Sequence, residues 1–399
     1  RIIKTMLNQE NVNLCKVRSS IRELFEYGKK RKAEIGEENV FDFSLGNPNV
    51  PAPEEVKTAL ADIIAHTDPI ALHGYTSATG AYEVRKVISD YINSRFNAGL
   101  DPDCIYMTCG AAASLTITLN ALVNTGDEVI VFAPYFPEYK VFSSHAGARL
   151  IAVESLDGTF QIDFGKLEAA LSSKTKAVII NSPNNPSGVV YTKAAVEKLC
   201  RLLKEYSLKY GNPIYLISDE PYRELVYDGA EVPFIMNYYE DSIVCYSYSK
   251  SLSLAGERIG YIAVNAKMPD SAEVYAGICG AGRALGFVCA PSLFQRLIQR
   301  VYNKTSDISV YKANRDLLCS ALTEYGFTVV KPDGAFYLFI KAPKGDGAAF
   351  AERAKKYELL LVDGKDFGCA GYVRISFCVA TEMIKKSLSA FKALAESYN

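Results

Sequence analysis

The chain has 399 residues, 49% of them apolar, with a formal net charge of −1, three histidines and ten scattered cysteines. That length exceeds what one core usually organises, so two domains are expected, and so small a net charge gives no electrostatic pull toward nucleic acid or an anionic membrane. With no CxxC pair and no metal spacing among His66, His73 and His145, the sequence reads as a cytoplasmic protein with reduced core cysteines and no metal site, acting on small molecules.

In chain order, Arg1-Ile-Ile-Lys-Thr-Met6 lacks the apolar stretch and cleavage pattern of a secretory signal, and no apolar run reaches the length of a membrane span. Ser20-Ile-Arg-Glu23 has the form of a capping box, opening a helix that either ends near Gly28 or continues through the basic run Lys29–Lys32. Phe41–Leu45 reads as a short strand, and Gly46–Pro53 as a rigid loop leading into a helix over Glu54–Ala65. Gly74–Gly80 is a second such loop, followed by Val84, Val87, Ile88, Tyr91 and Ile92 at helical spacing.

From residue 104 strands alternate with helices. Strands are expected at Cys104–Thr108, Glu128–Phe132, Arg149–Glu154, Lys176–Asn181, Pro213–Asp219, Ser242–Tyr246 and Ile259–Val264, with helices starting at Gly110 and Lys193. This alternation implies an α/β fold, a mostly parallel sheet with helices on both faces. After residue 305 a helix over Asp307–Tyr325 precedes strands Phe327–Lys331 and Phe336–Ile340. A helix near Ala348–Lys356, strands Glu358–Val362 and Tyr372–Phe377, and a helix from Thr381 follow, which describes a smaller α+β domain.

Ligands of such sheets bind beyond the carboxyl ends of the strands, so the residues just after each strand carry the chemistry. Lys250, in Ser247-Tyr-Ser-Lys-Ser, follows one of them. Partly desolvated there, it would have a lowered pKa and the nucleophilic amine of a Schiff-base lysine; in solvent it would be an ordinary strand-end lysine. Arg258, eight residues on, is a planar cation suited to a phosphate. Thr108-Cys-Gly110-Ala111-Ala112-Ala113-Ser114 passes from strand to helix, where free amides at the helix start receive a phosphate or simply make a turn.

Asn181-Ser-Pro-Asn184-Asn185-Pro-Ser-Gly188 holds amide donors over the sheet edge, and Asp219-Glu220-Pro-Tyr222 sets a carboxylate and a phenol beside them. Tyr135, in Ala133-Pro-Tyr-Phe-Pro137, offers a ring for stacking or for packing. In Tyr372-Val-Arg374-Ile-Ser-Phe377 alternation turns Arg374 away from Val373, Ile375 and Phe377, toward either a cleft, where it would grip a carboxylate, or water. Together these groups meet the needs of pyridoxal phosphate with an amino acid.

From about residue 40 onward the chain resembles the class I/II aminotransferases of the aspartate aminotransferase fold. Ser-Pro-Asn-Asn-Pro-Ser-Gly, Ser-Asp-Glu-Pro-Tyr and Ser-x-Ser-Lys-(x)5-Gly-x-Arg-x-Gly-Tyr stand in that family's order. The resemblance implies a large cofactor-binding domain over 49–305 and a small domain from 1–48 and 306–399. It makes Lys250 the Schiff-base lysine and proton shuttle, Asp219 the partner of the pyridine nitrogen, Asn185 and Tyr222 donors to the ring's 3-oxygen, and Tyr135 the stacking ring. Ser247, Arg258 and the amides of Gly110, Ala111 and Ala112 would hold the phosphate, with Tyr75 reaching it from the second subunit of a homodimer. Gly46, Asn185 and Arg374 would receive the substrate carboxylate.

The implied reaction is a ping-pong exchange between an L-amino acid and a 2-oxo acid, with glutamate and 2-oxoglutarate as one pair. Where some aspartate-specific relatives carry a lysine, this chain has Ala112; Arg283 is the candidate to read an acidic side chain instead, or else a helix-surface arginine. A β-eliminating lyase or cyclising synthase on the same fold is the alternative. A transcriptional regulator would need a DNA-binding module, for which there is no room before Phe41.

Overall fold

The computed structural model describes residues 7–16 and 19–398; the signal-free reading of Arg1–Met6 lies outside them. Along the chain the first strands are β1 (Phe41–Asp42), β2 (Ile105–Thr108), β3 (Glu128–Ala133), β4 (Arg149–Glu154), β5 (Thr175–Asn181), β6 (Tyr215–Asp219), β7 (Ser242–Ser247) and β8 (Gly260–Val264). Strands β2 to β8 build a seven-stranded sheet in the order β2-β8-β7-β6-β5-β3-β4. The pairs from β7 to β4 are parallel, and β8 runs antiparallel to both of its neighbours.

Both faces of this sheet are covered, which is why its strands are apolar at nearly every position rather than at every second one. Ile130, Phe132, Val178 and Ile180 turn into one helical layer, and Val129, Val131, Ala177 and Ile179 into the other. Each of the larger of these side chains, the Val, Ile and Phe residues, contributes about 1.5–3 kcal/mol when taken out of water. The reversal of β8 also has a local effect. Its first residue, Gly260, stands level with Thr108 and Ser247, the last residues of β2 and β7. Arg258 therefore arrives at the same sheet edge as residues that follow the parallel strands.

Four more strands fall, with β1, into two small sheets: β9 (Tyr337–Lys341), β10 (Leu359–Leu360), β11 (Val362–Asp363) and β12 (Tyr372–Ser376). Strands β11-β12-β9 are antiparallel, while β10 pairs in parallel with β1. The strand expected over Glu358–Val362 is thus two, because the chain changes partner at Leu361. The strand expected over Phe327–Lys331 reduces to one bridge, Val329 to Ile340. Beyond Pro332 the backbone is drawn elsewhere: Gly334 N donates to Gly188 O at 2.9 Å and Ala335 N to Leu225 O at 2.8 Å.

The core beside these sheets gathers Phe43, Val50, Leu318, Phe336, Phe350, Phe377 and Phe391, and takes Tyr222, Leu225 and Tyr227 from the middle of the chain. The helix Ser20–Ile35 runs straight through Gly28, where a side chain would press on Leu360 Cδ1 at 2.8 Å. Its cap is Ser19, one residue before the one expected: Ser19 Oγ accepts from Arg22 N, and Ser20 N is given to Asp366 Oδ2 at 2.8 Å. Strand β1 stops early because Asp42 Oδ1 captures Ser44 N at 3.0 Å in a side-chain turn. Among the described residues no helix is long and apolar enough to cross a membrane.

Candidate active site

At the carboxyl edge of the large sheet, where it meets the second core, lies a cavity of about 300 Å³, the size of one small molecule. Gly46, Ala111, Ala112, Asn185, Asp219, Tyr222, Ser247, Lys250, Arg258 and Arg374 all line it. Sequence-distant residues meet there because strands β5, β6 and β7 end side by side and β12 presents Arg374 from the opposite wall.

The floor is Asp219, the last residue of β6. Its carbonyl accepts from Asn181 Nδ2 at 2.9 Å, and its Oδ2 accepts from the buried Tyr139 hydroxyl at 2.6 Å. Oδ1 is buried with no partner. Burial, eased by the Tyr139 bond and reinforced by Glu220, pushes the carboxyl up to about 7. Such a group calls for a cationic donor.

Lys250 sits in the short turn Tyr248–Ser251 that follows β7, with Nζ donating to Gly46 O at 2.6 Å. Burial pulls its pKa down to about 8; Arg258 and Arg374 push the same way, against Cys378. Lys250 is therefore the desolvated amine, not the strand-end lysine in solvent.

One end of the cavity is built for an anion. Gly110, at φ +92°, caps the helix Ala111–Leu122, whose first amides are free, and a side chain at Gly110 would crowd Arg258 Nη2 at 3.0 Å. Arg258 itself has φ +54°, a strained conformation for a bulky residue of the kind that clusters at functional sites. Its Nη1 reaches Ala255 O at 2.9 Å and Ser249 Oγ at 3.5 Å, and Ser249 Oγ lies 2.7 Å from Ser247 Oγ. Among the described residues no carboxylate pairs with Arg258.

The opposite end is Arg374, only 2% exposed. Its Nη1 donates to Asn185 Oδ1 at 3.0 Å and its Nη2 to Ser44 O at 2.6 Å, while Nε has no partner. No carboxylate of the described chain reaches it. Burial lowers its pKa, though a guanidinium keeps its proton regardless. Tyr337 lies beneath it, and the Tyr337 hydroxyl leaves no room for a side chain on Gly46. Gly46 is thus glycine for want of space.

At Tyr135 the geometry differs from the expectation, while Tyr75, expected to act from a second subunit, and Arg283 lie outside this chain's cavity. Phe136, not Tyr135, lines the cavity. Consecutive residues leaving a strand turn opposite ways, and Tyr135 goes to the other side, where its N donates to Phe367 O at 3.0 Å and its ring closes on Gly368. Tyr75 is 99% exposed and stands outside this chain's cavity. Arg283 is exposed in the last turn of helix Ser271–Ala284, also away from it.

Tyr139, Ser249 and Tyr337 escaped the sequence reading. Two of them left traces: Ser249 stands in the Ser-x-Ser-Lys motif, and Tyr139 follows Phe136 by three residues, the two rings meeting edge to face at 5.6 Å.

A family model for aminotransferase class I and II matches residues 38–391. The chain is similar to an aspartate aminotransferase of Thermotoga maritima, at 32% identity over 94% of this chain and 97% of the relative. It is also similar to an aromatic-amino-acid aminotransferase of Thermococcus litoralis, at 28% identity over 93% of this chain and 94% of the relative. The crystal structure of an aminotransferase from Eubacterium rectale superposes with a TM-score of 0.97 at 53% identity, covering 99% of this chain and all of that one. The chain belongs to the aminotransferase class I and II family.

Proposed function

We propose that the protein moves an amino group between an L-amino acid and a 2-oxo acid in two half-reactions, with glutamate and 2-oxoglutarate as one pair. The observation that carries this reading is Arg374, a buried guanidinium with no carboxylate partner among the described residues, on the cavity that holds the Lys250 amine. A ligand carboxylate completes such an arginine, and amino acids and 2-oxo acids each carry one beside the reacting carbon.

Class I and II aminotransferases use pyridoxal phosphate, which when bound supplies an electron-withdrawing ring that stabilises negative charge on the substrate α-carbon. This chain's residues fit that group. Asp219 Oδ1, buried and without a partner among the described residues, would accept from a protonated ring nitrogen, whose charge would bring the carboxyl back down. The amides of Ala111 and Ala112, with Ser247, Ser249 and Arg258, would hold the phosphate. Asn185 and Tyr222 would bond the 3-oxygen, and Phe136, on the cavity wall, would take the role first expected of Tyr135.

With substrate in place, Gly46 and Arg374 fix the carboxylate so that the α-hydrogen faces Lys250, whose Nζ takes the proton. Its lowered pKa leaves a usable share of free amine near neutrality. Residues 49–305 form the cofactor-binding domain, and 1–48 with 306–399 the smaller one. The reading extends to a homodimer in which the exposed Tyr75 reaches the phosphate in a second copy, with Arg283 the candidate to read an acidic side chain. The relatives are named for acidic and for aromatic donors, so the donor is not inherited from them.

The test is to mix the loaded protein with each protein amino acid and 2-oxoglutarate. The matching 2-oxo acid and glutamate should appear in equal amounts. Pyruvate and ammonia released from a cysteine conjugate without any 2-oxo acceptor would identify a β-eliminating lyase instead.

A further inference from the structure

Tyr337 opens β9, is 2% exposed and lines the cavity between its two ends. Its hydroxyl lies 2.9 Å from that of Tyr222, and the Arg374 guanidinium sits over its ring at 4.7 Å. The same hydroxyl keeps Gly46 free of a side chain. One residue therefore touches the proposed donor to the 3-oxygen, the proposed carboxylate arginine and the backbone between them.

Between two hydroxyls only one proton occupies the shared hydrogen bond. If Tyr222 gave its proton to Tyr337, it would turn only lone pairs to the cavity. If Tyr337 donates instead, the Tyr222 proton is free for an acceptor in the cavity, and the chained bond makes it a stronger donor. The cation over the Tyr337 ring favours the second arrangement by making that phenol the better acid. Arg374 and Cys378 are the charged or titratable groups acting on Tyr337 besides Tyr222, and Arg374 and Asp219 those acting on Tyr222 besides Tyr337. Neither hydroxyl has another partner among the described residues.

We propose that Tyr337 is a positioning residue: it donates to Tyr222 so that Tyr222 turns its own proton to the cofactor's 3-oxygen, and its ring props Arg374 for the substrate carboxylate. The inference rests on Tyr222 being a donor to that oxygen. A donor there draws electron density from the proton that the oxygen shares with the lysine nitrogen. Weakening the donor therefore raises the pH at which the loaded protein's visible absorbance changes.

Absorbance titration of the loaded wild type, Tyr222→Phe, Tyr337→Phe and the double variant tests this. Tyr222→Phe should raise the midpoint by about one pH unit, and Tyr337→Phe by roughly half a unit, the scale of a bond strengthened by its neighbour rather than made or broken. The double variant should match Tyr222→Phe alone, because Tyr337 acts through Tyr222. An unmoved or lowered midpoint in Tyr337→Phe, or an additive shift in the double variant, overturns the relay while leaving Tyr222 its role. An unmoved midpoint in Tyr222→Phe overturns the underlying reading itself. For the ring, Tyr337→Leu should raise the amino-acid KM roughly tenfold while Tyr337→Phe preserves it. Equal KM values in the two variants overturn that part, and if Tyr337→Leu does not fold, the Tyr337→Phe titration still decides the relay.

Discussion

Asp219 and Glu220 are neighbours in the chain and almost equally hidden, at 5% and 1% exposure, yet they belong to opposite kinds of region. Glu220 faces away from the cavity into a closed network. Its Oε1 accepts from Ser218 Oγ at 2.8 Å and Arg223 Nη2 at 2.6 Å, and its Oε2 takes the Arg223 Nε–H. Arg223 is finished in turn by Val232 O and by the rings of Phe96 and Phe234, each 5.2 Å away. Asp219 keeps one oxygen unused, and Arg374 across the cavity keeps one N–H unused. Burial is common to both regions; what separates a site from a structural pair is a charge left incomplete, which a folded protein tolerates where a ligand completes it.

The largest effect should come from the cavity's buried amine. Lys250→Ala is expected to cost on the order of 10⁴-fold in kcat, the upper range for loss of a positioned proton-transfer group, and to abolish the visible absorbance of the lysine–cofactor bond. Turnover close to that of the wild type would remove Lys250 from its role and weaken the contrast drawn here.

The two arginines put the contrast itself to the test. Arg223→Met leaves Glu220 buried and unpaired, and should lower stability by about 3–5 kcal/mol while the folded fraction keeps its kcat/KM. Arg374→Met removes a charge that has no carboxylate to strand. It strands only the neutral acceptors Asn185 Oδ1 and Ser44 O, so it should lower the melting temperature less than Arg223→Met does, and reduce kcat/KM by about 2–5 kcal/mol of transition-state stabilisation. Thermal melts and steady-state kinetics on the same preparations check both. If Arg374→Met unfolds as readily as Arg223→Met, openness is no guide to function.

Most of this arrangement was legible in the sequence for a physical reason. Strands buried on both faces are continuous apolar runs, so their ends are sharp, and the motifs that follow them fall at one sheet edge whatever the connections do. Lys250, Asp219, Asn185 and Arg258 were found that way. Tyr135 and Phe136 were not separable, since two adjacent rings just past a strand carry no pattern to say which turns inward. Tyr337 was hidden inside an ordinary apolar strand, Phe336–Ile340, and its hydroxyl gains meaning only beside Tyr222 and Arg374. Strands that pair for two residues at a time, such as β10 and β11, lack the periodicity that reveals longer ones.

The smallest effect, and the most specific to the open region, concerns Asp219 in the cofactor-free protein. Its carboxyl is raised from an ordinary 3.8 to about 7, chiefly by burial. Below about pH 4 folded and unfolded chains both hold this proton, so the folded state keeps its full stability. As pH climbs from there toward 7 the unfolded chain releases the proton while the folded one retains it, and stability falls; above 7 the deficit is constant. Asp219→Asn removes this titration. Measured by chemical denaturation, the variant's stability relative to wild type should therefore rise by about 2–3 kcal/mol between about pH 5 and pH 7.5, at two pKa units of about 1.4 kcal/mol each. Other groups titrate over the same range, but they do so in both proteins and cancel in the difference. Loading the cofactor should erase the trend, because a cation at Oδ1 returns the wild-type carboxyl to its ionised form, and should reverse the ranking at pH 7.5. A stability difference that stays constant with pH would mean that Asp219 is already satisfied without a ligand, and that the site is closed at its floor.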